Sequence, residues 1–232
     1  MIRGRFITLE GIEGAGKSTV AVAIAEWLVR QKLRARLTRE PGGTPLAERV
    51  RTIVLERGTE HVSAVTETLL MFAARAIHLD NLIRPALGHG EWVICDRFTD
   101  ATRAYQGYGR GMNLAWIEQL ASAVHADLQP ERTLILDLPV EVGLARARTR
   151  SGAAADRFEA EQIEFFERVR AGYLAIAGGA PERIRQEPKR GTKQLGHVRV
   201  QRVARMDQER ELGTHKDASS TREDWKTATP CR

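Results

Sequence analysis

Residues 3–18 read RGRFITLEGIEGAGKS. Arg3–Glu10 has the apolar density of a buried strand, and Gly11–Ser18 satisfies the pattern GxxxxGK[ST] directly after it. From Lys17 to Gln31 the apolar residues Val20, Ile24, Trp27 and Leu28 return at helical intervals, so a helix with one buried face is expected next. Strand, glycine loop and helix in this order let backbone N–H groups turn inward around phosphate oxygens, while the helix N-terminus adds partial positive charge. Gly11, Ile12, Glu13, Gly14, Ala15, Gly16, Lys17, Ser18 and Thr19 are therefore read as the loop that holds a nucleotide's phosphates. Lys17 bridges the outer phosphates, Ser18 offers a hydroxyl to Mg2+, and Thr19 is a neighbour without a separate role.

Working outward, Ala35–Thr38 reads as a second strand ending in Arg39-Glu40-Pro41-Gly42-Gly43, where proline and paired glycines stop regular structure. Helices are expected over Leu46–Arg57 and Thr66–Leu87, and then a buried strand, Trp92–Asp96, that ends in a carboxylate. A glycine-broken segment leads to a helix at Leu114–Val124, a strand at Thr133–Leu138 and a helix at Val140–Arg148. The last helix runs from about Glu159 to Ala177. This alternation predicts an α/β fold of the P-loop type, a doubly wound parallel sheet flanked by helices. The small residues Ser151–Ala155 suit a flap over about 148–158.

The chain has 232 residues, of which 42% are hydrophobic, enough for one α/β domain. Cys95 and Cys231 cannot build a disulfide framework, and the six histidines hold no pair at metal-ligand spacing. No stretch reaches the roughly 18 uninterrupted apolar residues of a membrane span, so a cytoplasmic protein with no membrane partner is expected. The net charge of +6 is uneven: residues 1–185 hold 25 Lys+Arg against 23 Asp+Glu, and residues 186–232 hold 11 against 7. No nucleic-acid partner is therefore expected for residues 1–185. The end of the chain also shifts from arginine to lysine and lacks apolar periodicity, so 186–232 reads as a basic tail without assigned structure.

A P-loop names no substrate, and no NKxD guanine signature is present. Asp96-Arg97, at the carboxyl end of a buried strand, lies where open parallel sheets bind ligands. There Asp96 can hold the water shell of Mg2+, and Arg97 can clamp an acceptor phosphate. An ordinary Asp-Arg surface pair is the alternative. Arg39 offers a second guanidinium beside Glu40. Phe72 and Arg75 share a helix face, fit to stack on a base and to hydrogen-bond its edge, although Phe72 taken alone fits a core position better.

Together GIEGAGKS, REPGGT, LLMFAARA, DRFTDATRAYQG and DRFE, in this order, resemble bacterial thymidylate kinases over residues 3–185. The resemblance implies transfer of phosphate from ATP to dTMP with magnesium, by a homodimer. It places Phe72 on the thymine, Arg75 at a base edge, and Arg39 and Arg97 on the dTMP phosphate, with Glu40 also among the substrate-binding residues. Thr102 lies in the same block, and Tyr105 and Gln106 face sugar and base. Because Glu13-Gly14-Ala15 carries no arginine, the resemblance assigns an extra catalytic arginine to the flap, among Arg146, Arg148 and Arg150. Asp156 and Glu159 fall in the block after the flap. After Arg185 the chain departs from the family, whose final apolar strand and C-terminal helix are replaced by QEPKRGTKQLGHVRV, so the loss of an edge strand and weaker folding are expected. Two rivals remain: a kinase for another nucleoside or nucleoside monophosphate, and a nucleotide-gated regulator that contacts nucleic acid through the tail.

Overall fold

The computed structural model describes residues 4–56, 59–151, 157–158 and 161–188. Five parallel strands form one sheet: β1 (Phe6–Glu10), β2 (Ala35–Arg39), β3 (Trp92–Asp96), β4 (Arg132–Asp137) and β5 (Ile184–Pro188), in the order β2-β3-β1-β4-β5. Thr8 pairs with Cys95 on one side and Thr133 on the other, and the two threonine hydroxyls meet at 2.7 Å. Phe6, Val93, Cys95, Ile135 and Ile184 consequently share one face, while the alternate residues Ile7, Leu9, Ile94 and Leu134 are buried on the other. Burial on both faces explains why β1 reads as a nearly unbroken apolar run.

The helices are α1 (Lys17–Arg30), α2 (Pro45–Leu55), α3 (Ala64–His78), α4 (Arg84–Gly88), α5 (Thr99–Thr102), α6 (Leu114–His125), α7 (Val140–Ser151) and α8 (Ile163–Gly179). A π-helical turn, Leu79–Ile83, joins α3 to α4, so the long helix expected from Thr66 to Leu87 is present with a bulge. The segment read as glycine-broken is helical: α5 continues into π-helix over Arg103–Gly109. Its glycines serve close approach rather than breakage. A Cβ at Gly109 would stand 2.7 Å from the Phe165 ring and 2.9 Å from Val169 Cγ2, so glycine lets α8 lie against this backbone.

The expected loss of an edge strand does not occur. β5 pairs with β4 from Thr133↔Ile184 to Asp137↔Pro188, so Gln186 begins no structureless tail, and Ile184 is buried with Ile135, Phe166 and Tyr173. Arg183, just before β5, donates to both oxygens of buried Asp100 at 2.7 and 3.2 Å. The sequence reading missed the strand because its buried apolar residue, Ile184, is flanked by the charged Arg183 and Arg185. Residues 189–232, which include nearly all of the expected basic tail, lie outside the described residues. α7 continues past Arg148 to Ser151, and α8 begins at Ile163, not Glu159. Among the described residues no helix is long and apolar enough to cross a membrane.

Candidate active site

The carboxyl ends of β1 and β3 lie side by side at the sheet centre and deliver the two motifs to one place. Gly16 closes the loop in the left-handed conformation, and α1 opens at Lys17 with no acidic residue in its first turn and no side-chain cap, which leaves its first N–H groups for a ligand. Lys17 Nζ donates to the Gly11 and Ile12 carbonyls at 3.0 and 2.9 Å. Burial, helped by the Arg97 charge, lowers the Lys17 ammonium from 10.5 to about 8, against the pull of Asp96, Glu13 and Glu10. Ser18 Oγ donates to Asp96 Oδ2 at 3.1 Å, so the two groups expected at a metal converge. Gly14 has φ +66°, and a Cβ there would strike the Gly143 carbonyl and come within 3.1 Å of Arg146 Cβ. The loop thus rests against the first turns of α7.

Arg97 also has positive φ, +74°, rare for a residue with a side chain. Its N–H donates to Leu9 O at 2.9 Å, its carbonyl accepts from Cys95 Sγ at 3.0 Å, and the next N–H, of Phe98, donates to Glu10 Oε1 at 2.7 Å. This backbone aims the guanidinium back over the P-loop. There Nη2 donates to Glu13 Oε1 at 2.8 Å and to Tyr105 OH at 2.9 Å, and Nη1 donates to Tyr173 OH at 3.0 Å. Tyr105 OH itself donates to Glu13, so an arginine, a P-loop carboxylate and a phenol form one cluster.

Across the cavity Arg75, 2% exposed, donates through Nε to Glu40 Oε2 at 2.7 Å and through Nη2 to Thr102 Oγ1 at 3.0 Å. Its Nη1 is buried and has no hydrogen-bond partner among the described residues. His78 Nδ1 stands 3.1 Å from Glu40 Oε1, and His78 Nε2 stands 2.7 Å from Thr38 Oγ1. Burial opposes the charge on Glu40, but Arg75 and the His78 hydrogen bond outweigh it and hold the carboxyl below its ordinary 4.5. Gln106 is anchored through Nε2 to Glu67 Oε1 at 2.7 Å, and Glu67 Oε2 accepts from Arg157 at 2.6 Å.

These walls enclose a cavity of about 540 Å³. Glu13, Gly14, Gly16, Lys17, Ser18 and Thr19 line it from the P-loop, and Asp96, Arg97, Thr102, Tyr105 and Gln106 line it from the β3 side. Arg39, Glu40 and Arg75 complete the predicted set, with Arg39 fixed at the rim by Glu48 at 3.0 Å. Gly11, Ile12 and Ala15 lie beneath the loop rather than on the wall. Phe72 is 3% exposed, packs on Ile117 and Ala121, and carries the Arg75 guanidinium 4.8 Å above its ring. Its apolar helix face made a core position legible.

α7 separates the three flap arginines. Val140, Leu144 and Ala147 are buried, and Gly143 and Arg146 meet the P-loop on one flank. At about 100° per residue, Arg148 falls on the opposite flank and position 150 returns to the flank of Arg146. The Arg150 side chain, Asp156 and Glu159 lie outside the described residues. Sequence reasoning missed Glu10, Arg51, Glu67, His78, Tyr173 and Phe158. Arg51 and Phe158 line the cavity; the other four stand behind it on residues that do. No local pattern marks a polar residue that turns inward.

Glu40, His78 and Cys95 place potential ligand atoms within 4.8 Å of one another, although the histidines show no ligand spacing in the sequence. That donor set does not suit a cation: Arg75 already neutralises Glu40, and burial holds the Cys95 thiol well above 9.0.

Comparison with known proteins agrees with this geometry. The sequence profile of the family described as thymidylate kinase matches residues 9–190. A thymidylate kinase of Alkalilimnicola ehrlichii is 57% identical over 186 residues, covering 80% of this chain and 85% of that protein. One from Pseudomonas fluorescens is 57% identical over 180 residues, covering 78% and 85%. The crystal structure of thymidylate kinase from Ehrlichia chaffeensis superposes with a TM-score of 0.69 at 34% identity, over 87% of this chain and 99% of that one. With the family profile spanning most of the sequence and relatives at 57% identity, this chain is a member of the thymidylate kinase family.

Proposed function

We propose that this enzyme transfers the γ-phosphoryl group of ATP to dTMP, giving ADP and dTDP. What supports the reading is Arg75 on the cavity wall, held rigidly by Glu40 and Thr102 and with its Nη1 unpartnered among the described residues. A fixed donor there favours a base edge that presents a carbonyl, as thymine does, and leaves a cytosine amino group facing another donor. Arg97 and Arg39 hold the acceptor phosphate, Tyr105 and Gln106 border the sugar and base, and Phe72 backs Arg75. Lys17 and the P-loop N–H groups hold the outer phosphates of ATP.

Ser18 and Asp96 offer the hydroxyl and carboxylate oxygens that magnesium takes, at a mutual distance of 3.1 Å, so the residues fit that ion. Bound there, magnesium supplies charge neutralisation on the phosphates. The protein's own contribution is positioning and fixed positive charge. An arginine of α7 serves the ATP phosphates in this reading, and Arg146, on the flank that meets the P-loop, is favoured over Arg148 by the helix phase. The same reading carries a cytoplasmic homodimer, for which the exposed Val65 and Leu69 of α3 supply apolar surface.

The test is ADP formation from ATP and magnesium with dTMP, dUMP, dCMP, dGMP, thymidine or no acceptor, for the wild type and Lys17→Ala. Turnover selective for dTMP and lost in the variant is expected. Selectivity for another acceptor, or no acceptor-dependent ADP, would refute the assignment.

A further inference from the structure

We propose that Glu10 and Tyr173 are positioning residues for the acceptor-phosphate arginine, gripping Arg97 by its backbone and its side chain at once. The inference rests on the reading that Arg97 holds the acceptor phosphate.

Glu10 ends β1 and is wholly buried. Its two oxygens serve one target. Oε1 accepts from Phe98 N at 2.7 Å, immediately after the strained Arg97, and Oε2 accepts from Tyr173 OH at 2.9 Å. Tyr173 in turn accepts from Arg97 Nη1 at 3.0 Å. A phenol suits this place because it donates to the carboxyl and accepts from the guanidinium together. Burial and then the Glu10 charge push its ionisation well above 10.0, so it stays a hydroxyl.

Packing alone explains neither residue. Tyr173 is 2% exposed beside Phe165 and Phe166, where phenylalanine would fill the same space without a hydroxyl to satisfy. At Glu10 burial, reinforced by Asp100, raises the carboxyl from 4.5 to about 8 against Arg97 and its two hydrogen bonds. A carboxyl in the centre of a parallel sheet is costly. It is expected where a polar contact is needed more than stability is. Without both grips, Arg97 would keep its contacts to Glu13 and Tyr105 but lose the support of its positive φ.

The experiment measures steady-state kinetics for both substrates with full-length Tyr173→Phe, Glu10→Gln, the double variant and Arg97→Lys. Tyr173→Phe and Glu10→Gln should each lower kcat/KM for dTMP about tenfold while KM for ATP stays within about twofold. The double variant should be no worse than the weaker single, because both act through Arg97. If Tyr173→Phe leaves kcat/KM for dTMP within about twofold, or if the two effects add, the positioning claim fails. It fails equally if KM for ATP and for dTMP rise together with a lowered Tm, since that marks general loosening. Arg97→Lys separates the two layers: a normal KM for dTMP there removes both claims, whereas a raised KM beside normal singles removes only this one.

Discussion

Arg75 Nε donates to Glu40 Oε2 at 2.7 Å, with both side chains 3% exposed. The pair ties the loop after β2 to α3 and fixes the Arg75 guanidinium at the cavity wall. Glu40→Gln leaves a buried guanidinium without its countercharge and is expected to cost about 3–5 kcal/mol. The pH dependence follows from the lowered carboxyl: its stabilisation is complete above 4.5 and lost as pH falls through the lower folded value. Thermal melts should therefore show the wild type and Glu40→Gln converging only at acidic pH.

Lys17 sits in the opposite balance. Its ammonium is lowered from 10.5 to about 8, so the folded state binds fewer protons than the unfolded chain between those values. The penalty is full below about 8 and fades towards 10.5. Lys17→Met should abolish turnover yet raise Tm at pH 7 in buffers free of phosphate and sulfate, with the gain shrinking at alkaline pH.

The phase of α7 makes two neighbouring arginines unequal. Arg146→Ala should lower the single-turnover rate by about a hundredfold or more, in line with a guanidinium acting on transferring phosphate. Arg148→Ala, on the other flank, should stay within about threefold. Equal losses would mean that α7 does not hold this phase when it acts.

Gly109 lies against the Phe165 ring. Gly109→Ala should separate α8 from the π-helical segment and destabilise the protein by about 1–3 kcal/mol in urea unfolding. Because Tyr105 lies on that segment, KM for dTMP should rise in parallel.

Much of the fold was legible where the signal is local. The GxxxxGK[ST] run, the β3 strand ending at Asp96 and the apolar spacing of α1 are properties of near neighbours in the chain, and each is found within a few residues of its expected place. The failures share one cause. Gly107 and Gly109 read as breaks because the residues they accommodate, Leu114 and Phe165, are supplied by other helices. β5 was hidden because its pairing partner, β4, contributes the hydrogen bonds and most of the apolar surface. Phe72 and Arg75 share a helix face in sequence, but the packing of α6 decides that only Arg75 reaches the cavity.

The chain's own residues determined the phosphate loop, the alternation that makes a parallel sheet, and the arginines available to an acceptor, since motif spacing and periodicity need no distant contact. Only the tertiary structure decided which polar side chains turn inward behind them. Glu10 and Tyr173, 163 residues apart, meet because α8 packs on the π-helical segment after β3 and on β4 and β5, and that meeting satisfies a buried carboxyl no local pattern distinguishes from a surface one.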